Sequence, residues 1–256
     1  MSRLVLVLLD GLTAEAAARH MGFLAALTEG GRARHTELVA ELPPLSRPIY
    51  ATLLSGLTPL ETGILTNGDA RVCPAPTLFA RARDAGLVTA AAAYAWVSEL
   101  CNRAPFDAPR DRMTNDARLP IGHGLFYSQD AYPDDELFRD AEALRRNFAP
   151  HLLLVHSMGI DFAGHAEGGA SRAYREAVRA ADGLLATHVP RWLAEGASVL
   201  ITSDHGMDAD GSHTDPAPAA RRVPLWLAGA DAQTALPARQ TDIAPLCARL
   251  VGIRWG

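Results

Sequence analysis

Several short apolar runs in this chain are continuous rather than alternating, and that pattern leaves few folds open. Leu4–Leu9, Val88–Tyr94, His151–His156, Ser198–Thr202 and Pro224–Ala228 each read as a strand, and a strand that is apolar on both faces is one buried on both faces. Between them lie helical patterns at Ala14–Glu29, Arg47–Ser55, Thr77–Ala85, Asp134–Asn147, Ser171–Glu195 and Ile243–Val251. The alternation predicts an α/β fold: a mostly parallel central sheet with helices on both faces. A chain of 256 residues is long enough for one such domain with a sizeable core, and a single domain is expected. The stretch from Cys101 to Asp135, rich in proline, aspartate, arginine and aromatics, fits neither pattern and is expected to form a loop or small cap.

Composition removes several functions. The chain contains no lysine, so neither a Walker A loop nor a lysine Schiff base can form. The formal net charge is −5, with no basic run interleaved with aromatics, so duplex nucleic acid is not an expected partner. Cys73, Cys101 and Cys247 lie far apart, which suits a reducing compartment and argues against a disulfide framework. The N-terminal apolar run leads straight into Asp10 and Gly11 without a cleavage site, unlike a secretion signal. No run approaches the roughly 18 apolar residues needed to span a bilayer. A soluble, cytoplasmic protein without a membrane partner is therefore expected; the sequence does not speak to oligomeric state.

The placement of acids is more specific. "LVLVLLD" ends in Asp10, "LLLVHSMGID" in Asp161, and "VLITSDH" in Asp204 and His205. Taken singly, each acid is a helix cap or turn former. Together, three apolar strands deliver carboxylates to the carboxyl edge of the sheet, where open α/β sheets bind ligands. Asp161 and His165 are four residues apart, on one face if that segment is helical. With His213 they would make an aspartate and two histidines, leaving open positions as catalytic zinc sites do. Asp10, Asp204 and His205 could hold a second ion, and paired ions clamp the attacking and leaving oxygens of a displacement at phosphorus. A nucleophile is available in "LPPLSRPIYATLLSG", where Ser46 is expected to cap a helix with Pro48 in its first turn. The positive helix end there favours anions.

These residues resemble the alkaline phosphatase superfamily, and within it the type I phosphodiesterase and nucleotide pyrophosphatase branch. The matching pieces are "LLDG" at Asp10, "PPLSRPIYATLLSG" at Ser46, "GLTPLETGILTN" ending at Asn67, "GIDFAGH" at Asp161 and His165, "SDHGM" at Asp204 and His205, and His213. The resemblance implies two divalent ions, and the ligand type favours zinc with manganese second. Asp161, His165 and His213 would hold one; Asp10, Ser46, Asp204 and His205 would hold the other. It also implies that Ser46 is the nucleophile, and that Asn67 donates to a phosphoryl oxygen, helped by the backbone N–H of Arg47.

The sequence departs from the branch in three ways. Ser46 stands where diesterases usually carry threonine, the long insertion between the last two histidines is missing, and "HTD" replaces a glycine pair, leaving room for a role of Asp215. Sulfatases share the architecture but need arginine four residues after the nucleophile, where this chain has Tyr50; phosphomutases carry an additional domain. The expected activity is hydrolysis of a small-molecule phosphate ester, a diester ahead of a monoester or phosphonate. Mutase, sulfatase and an inactive metal-binding relative rank lower. For substrate contacts the expectation names Arg47, Tyr94, Trp96, His123, Phe126 and Tyr127, the last three as an aromatic wall.

Overall fold

The computed structural model describes residues 2–215, 217–230 and 234–255. Eight strands within them form one sheet: β1 (Arg3–Leu9), β2 (Ala33–Val39), β3 (Thr89–Tyr94), β4 (Met113–Asn115), β5 (His123–Tyr127), β6 (Leu152–Ser157), β7 (Ala197–Thr202) and β8 (Arg222–Ala228). Their order is β2-β8-β7-β1-β6-β3-β5-β4. The five strands from β7 to β5 run parallel, whereas β8 pairs antiparallel with β7, β2 with β8, and β4 with β5. The fold is α/β with a mostly parallel sheet, as the apolar runs predict.

The continuous apolar runs have the expected cause. Along β1, Leu4, Leu6 and Leu8 enter one core layer and Val5, Val7 and Leu9 the other, on opposite faces of the sheet. Helices Ser46–Ser55 and Ile243–Leu250 pack in the first layer, and Asp134–Phe148 and Arg172–Ala194 in the second. Register then fixes the site. Leu9 lies opposite Ser157 of β6 and Leu8 opposite Thr202 of β7, so Asp10, Asp161 and Asp204 leave neighbouring strands at one edge.

Several elements differ from the sequence reading. The span Ala14–Glu29 is two helices, Ala14–His20 and Gly22–Glu29, broken at Met21. The carboxylate of Asp182 accepts the freed N–H groups of Phe23 and Leu24. Part of the stretch from Cys101 to Asp135 adds β4 and β5 to the sheet; its strands are short and its proline and aspartate content obscured them. Strand β2 was missed because its edge position leaves an alternating, partly exposed pattern. A helix Ala95–Cys101 follows β3 directly. No helix among the described residues is long and apolar enough to cross a membrane, and the three cysteines are buried and free.

Candidate active site

Three polar turns at the carboxyl edge of β1, β6 and β7 converge. Asp10 follows β1, Asp161 lies in the helix Gly159–Glu167 after β6, and Asp204 and His205 follow β7. Close approach depends on Gly11, which has φ +71° and where a Cβ would sit 2.9 Å from the Cα of Asp161. Its N–H donates to Oδ1 of Asp204 at 3.2 Å. The positive φ and the contact together require glycine.

The helix Ser46–Ser55 brings the fourth wall. Leu45, extended and without a side-chain cap, is its N-cap residue, and Ser46 is the first helical residue rather than the cap. Its hydroxyl is thus free of capping and lies 3.1 Å from Nε2 of His205. Nε2 of His205 is also 3.1 Å from Oδ2 of Asp204 and 3.5 Å from Oδ1 of Asp10.

Donor atoms gather in two sets, Asp161 with His205 and His213, and Asp10 with Asp204 and His205, each with ligand atoms within 4.8 Å of one another. His205 is common to both. His165, expected in the first set, sits at its open side: its Nε2 is 3.2 Å from Nε2 of His213 and 3.5 Å from Oδ1 of Asp161. The three imidazoles are oriented alike. Nδ1 of His165 donates to the Gly211 carbonyl, Nδ1 of His205 to that of Gly206, and Nδ1 of His213 to that of Pro44, at 2.8, 2.9 and 2.8 Å. Each Nε2 lone pair therefore faces inward, as metal-ligating histidines require.

The donor set fits divalent ions on a second count. Oδ1 of Asp10, Oδ1 of Asp161 and Oδ2 of Asp204 are buried and accept no hydrogen bond, an arrangement that is costly unless a cation compensates it. Burial, with the neighbouring carboxylates adding to it, pushes Asp10 well above the ordinary range, and burial raises Asp204 to about 6. Burial likewise lowers His205 to about 3 and His213 to about 4, so both are neutral.

Two residues here were not anticipated as part of the site. The Tyr50 hydroxyl donates to Oδ2 of Asp10, and Nε2 of His156 lies 3.2 Å from the same oxygen. Both stand inside apolar stretches and read as core; only their proximity in sequence to Ser46 and Asp161 could have drawn attention to them.

Arg47 is buried. Its guanidinium pairs with Glu99 at 2.6 Å, donates through Nε to the Asn67 carbonyl at 2.8 Å and covers the Trp96 ring at 4.6 Å. Its backbone N–H donates to Oδ1 of Asn67 at 3.0 Å. Asn67 is thus held at two atoms with its Nδ2 free to donate. Tyr94 ends β3, half-buried and edge-on to Trp96 at 5.1 Å. The expected wall of His123, Phe126 and Tyr127 is not formed. His123 opens β5 at the far end and stacks on Phe148; Phe126 and Tyr127 enter opposite core layers, as neighbours in a strand must. Tyr127 donates to the His156 carbonyl at 2.7 Å. Asp215 is exposed.

The fold is that of the alkaline phosphatase-like proteins. The C-terminal periplasmic domain of EcEptC from Escherichia coli superposes with a TM-score of 0.68 at 15% identity, covering 98% of this chain and 82% of that domain. That domain has also been crystallised in complex with Zn. Murine ectonucleotide pyrophosphatase/phosphodiesterase 5 superposes with a TM-score of 0.61 at 14% identity, covering 81% of this chain and 58% of that one. Residues 4–72 and 74–214 match the type I phosphodiesterase/nucleotide pyrophosphatase family, and the chain belongs to it. Over 41% of this chain, it is 30% identical to GPI ethanolamine phosphate transferase 1 of Saccharomyces cerevisiae (strain ATCC 204508 / S288c). The match spans only 14% of that transferase's length.

Proposed function

We propose that the protein is a two-metal phosphodiester hydrolase that works through a phosphoserine at Ser46. The observation that carries the reading is the Ser46 hydroxyl, 3.1 Å from Nε2 of His205, beside three buried carboxylate oxygens without hydrogen-bond partners. Two divalent ions, zinc by ligand type and manganese second, would be held by Asp161, His165 and His213 and by Asp10, Ser46, Asp204 and His205, supplying Lewis-acid stabilisation of the attacking and leaving oxygens. Ser46 loses its proton to solvent and Oγ attacks phosphorus in line. The Ser46 Oγ–P bond forms, the ester P–O bond breaks, and the leaving alcohol takes a proton from solvent. Water then cleaves the phosphoserine, restoring Ser46. Asn67 Nδ2 is available to a non-bridging oxygen throughout, because its Oδ1 is already occupied by the Arg47 N–H. Fixed donors of this kind act without reorganising as charge develops.

The diester preference rests on Arg47. Its guanidinium is neutralised by Glu99 and does not serve the second charge of a monoester dianion. Tyr94 and Trp96 remain as aromatic surface for the organic group. A second reading, transfer of the phosphoryl group to an alcohol, is favoured by the identity to an ethanolamine phosphate transferase.

A zinc-loaded panel of matched aryl phosphodiester, monoester, phosphonate and sulfate tests the assignment, with an added alcohol as acceptor. The diester is expected to lead in kcat/KM. A monoester leading by tenfold, about 1.4 kcal/mol at the transition state, overturns the diesterase reading; a new phosphodiester carrying the added alcohol, in place of the monoester that hydrolysis of the diester releases, establishes transfer.

A further inference from the structure

We propose that Tyr50 and His156 are positioning residues that grip one oxygen of Asp10, turning the other toward an ion and setting that ion under Ser46. The inference rests on reading Asp10, Asp204 and His205 as a metal set, and goes beyond it by assigning what fixes the geometry of that set.

The two oxygens of Asp10 are treated differently. Oδ2 accepts from the Tyr50 hydroxyl and faces Nε2 of His156 at 3.2 Å, whereas Oδ1 is buried without a hydrogen bond and lies 3.5 Å from Nε2 of His205. The tautomer of His156 follows from its other nitrogen. Nδ1 faces the backbone N–H of Tyr94 at 3.4 Å and must accept there, so Nε2 carries the proton and donates to Asp10. The two rings brace each other edge to face, with centroids 4.6 Å apart. With Oδ2 occupied by two donors, Asp10 has one oxygen left to offer an ion, in one direction.

The second half of the argument is helical register. Tyr50 follows Ser46 by four residues in the helix Ser46–Ser55, so the two side chains share a face. Ser46 touches His205 and Tyr50 touches Asp10, both members of one candidate set. The helix is thereby docked at two points one turn apart, and the nucleophile is registered on the ion by a contact that takes no part in chemistry.

Zinc affinities read by competition with a chromophoric chelator test this on wild type, Tyr50→Phe, His156→Gln and His156→Leu. Tyr50→Phe keeps the ring but removes the donor. One of two ions should weaken by about 10–100-fold, the range for lost outer partners of metal ligands, while the other stays within about twofold. At saturating zinc, kcat should fall with KM unchanged. His156→Gln, which retains a donor, should lie closer to wild type than His156→Leu. Wild-type protein binding fewer than two ions overturns the metal reading itself. Two ions in wild type with both affinities unchanged in Tyr50→Phe, or both equally weakened, overturns the positioning role alone. Should Tyr50→Phe fail to fold, equal affinities in the two His156 variants overturn it.

Discussion

Arg47 and Glu99 form an ion pair of 2.6 Å in which the side chains are only 3% and 7% exposed. Breaking a buried pair by removing one partner leaves the other charge uncompensated and typically costs about 3–5 kcal/mol. Glu99→Gln is therefore expected to lower unfolding stability by about 3 kcal/mol, read by urea denaturation. Because Arg47 also holds Asn67 at its carbonyl and Oδ1, the variant should lose kcat as well. Unchanged stability would show that Trp96 and Asn67 alone satisfy the guanidinium.

Ser46→Ala should abolish turnover and leave both ions bound, since the aspartates and histidines of both sets remain. Metal analysis beside a single-turnover assay for phosphoserine checks this. Near-normal rates would place attack on water rather than on Ser46.

Purified protein should carry close to two divalent ions, lose activity in chelator and regain it with zinc or manganese. Ligands must be deprotonated to bind, and the Asp204 carboxyl is raised to about 6. Below that pH a proton competes with the ion, so zinc affinity should fall by up to about tenfold per pH unit for each proton displaced. Affinity flat between pH 7 and pH 5 would remove Asp204 from the ligand set.

Phe126→Ala separates packing from substrate binding. Phe126 is 2% exposed in the core layer shared with Leu6 and Leu8, and truncating such a phenylalanine costs about 3–5 kcal/mol. A large drop in thermal midpoint with KM for an aryl diester unchanged is expected; a raised KM with full stability would return Phe126 to the substrate pocket.

Glu142 makes an acid-sensitive hub. Burial alone would raise its carboxyl, but hydrogen bonds from Arg145 and Trp192 and the charge of Arg145 overcome that and hold it at about 2. The ordinary value of a glutamate carboxyl is about 4.5. A depressed carboxyl contributes stability that is present above the unfolded value and is lost as pH falls through the folded one. Glu142→Gln should therefore be less stable than wild type at pH 7, with the gap closing between about 4.5 and 2 in a series of urea titrations. A gap independent of pH would assign the loss to packing.

The carboxylates were legible in the sequence because a buried strand makes its own direction visible: an apolar run that stops at an acid shows which residue reaches the sheet edge. Asp10, Asp161 and Asp204 could be read this way without any fold in hand. Tyr50 and His156 could not, because an aromatic or histidine inside an apolar run looks the same whether it fills a core or grips a carboxylate. The grouping of His123, Phe126 and Tyr127 failed for a geometric reason. Closeness in sequence is not closeness on a strand, where adjacent side chains face opposite ways and four residues span roughly 13 Å. Edge strands β2 and β4 escaped notice because they lack the two-sided burial that made the central ones obvious.

The position of β1 in the sheet governs the order in which the site can be assembled. It lies between β6 and β7, strands that begin at Leu152 and Ala197, so its neighbours on both sides are made long after it. A chain growing on the ribosome makes Asp10 almost two hundred residues before His205 and His213. Until then β1 carries bare hydrogen-bonding edges, the kind that recruit other strands. Fragments ending before residue 197 would thus be inert toward phosphate esters and prone to stick to one another.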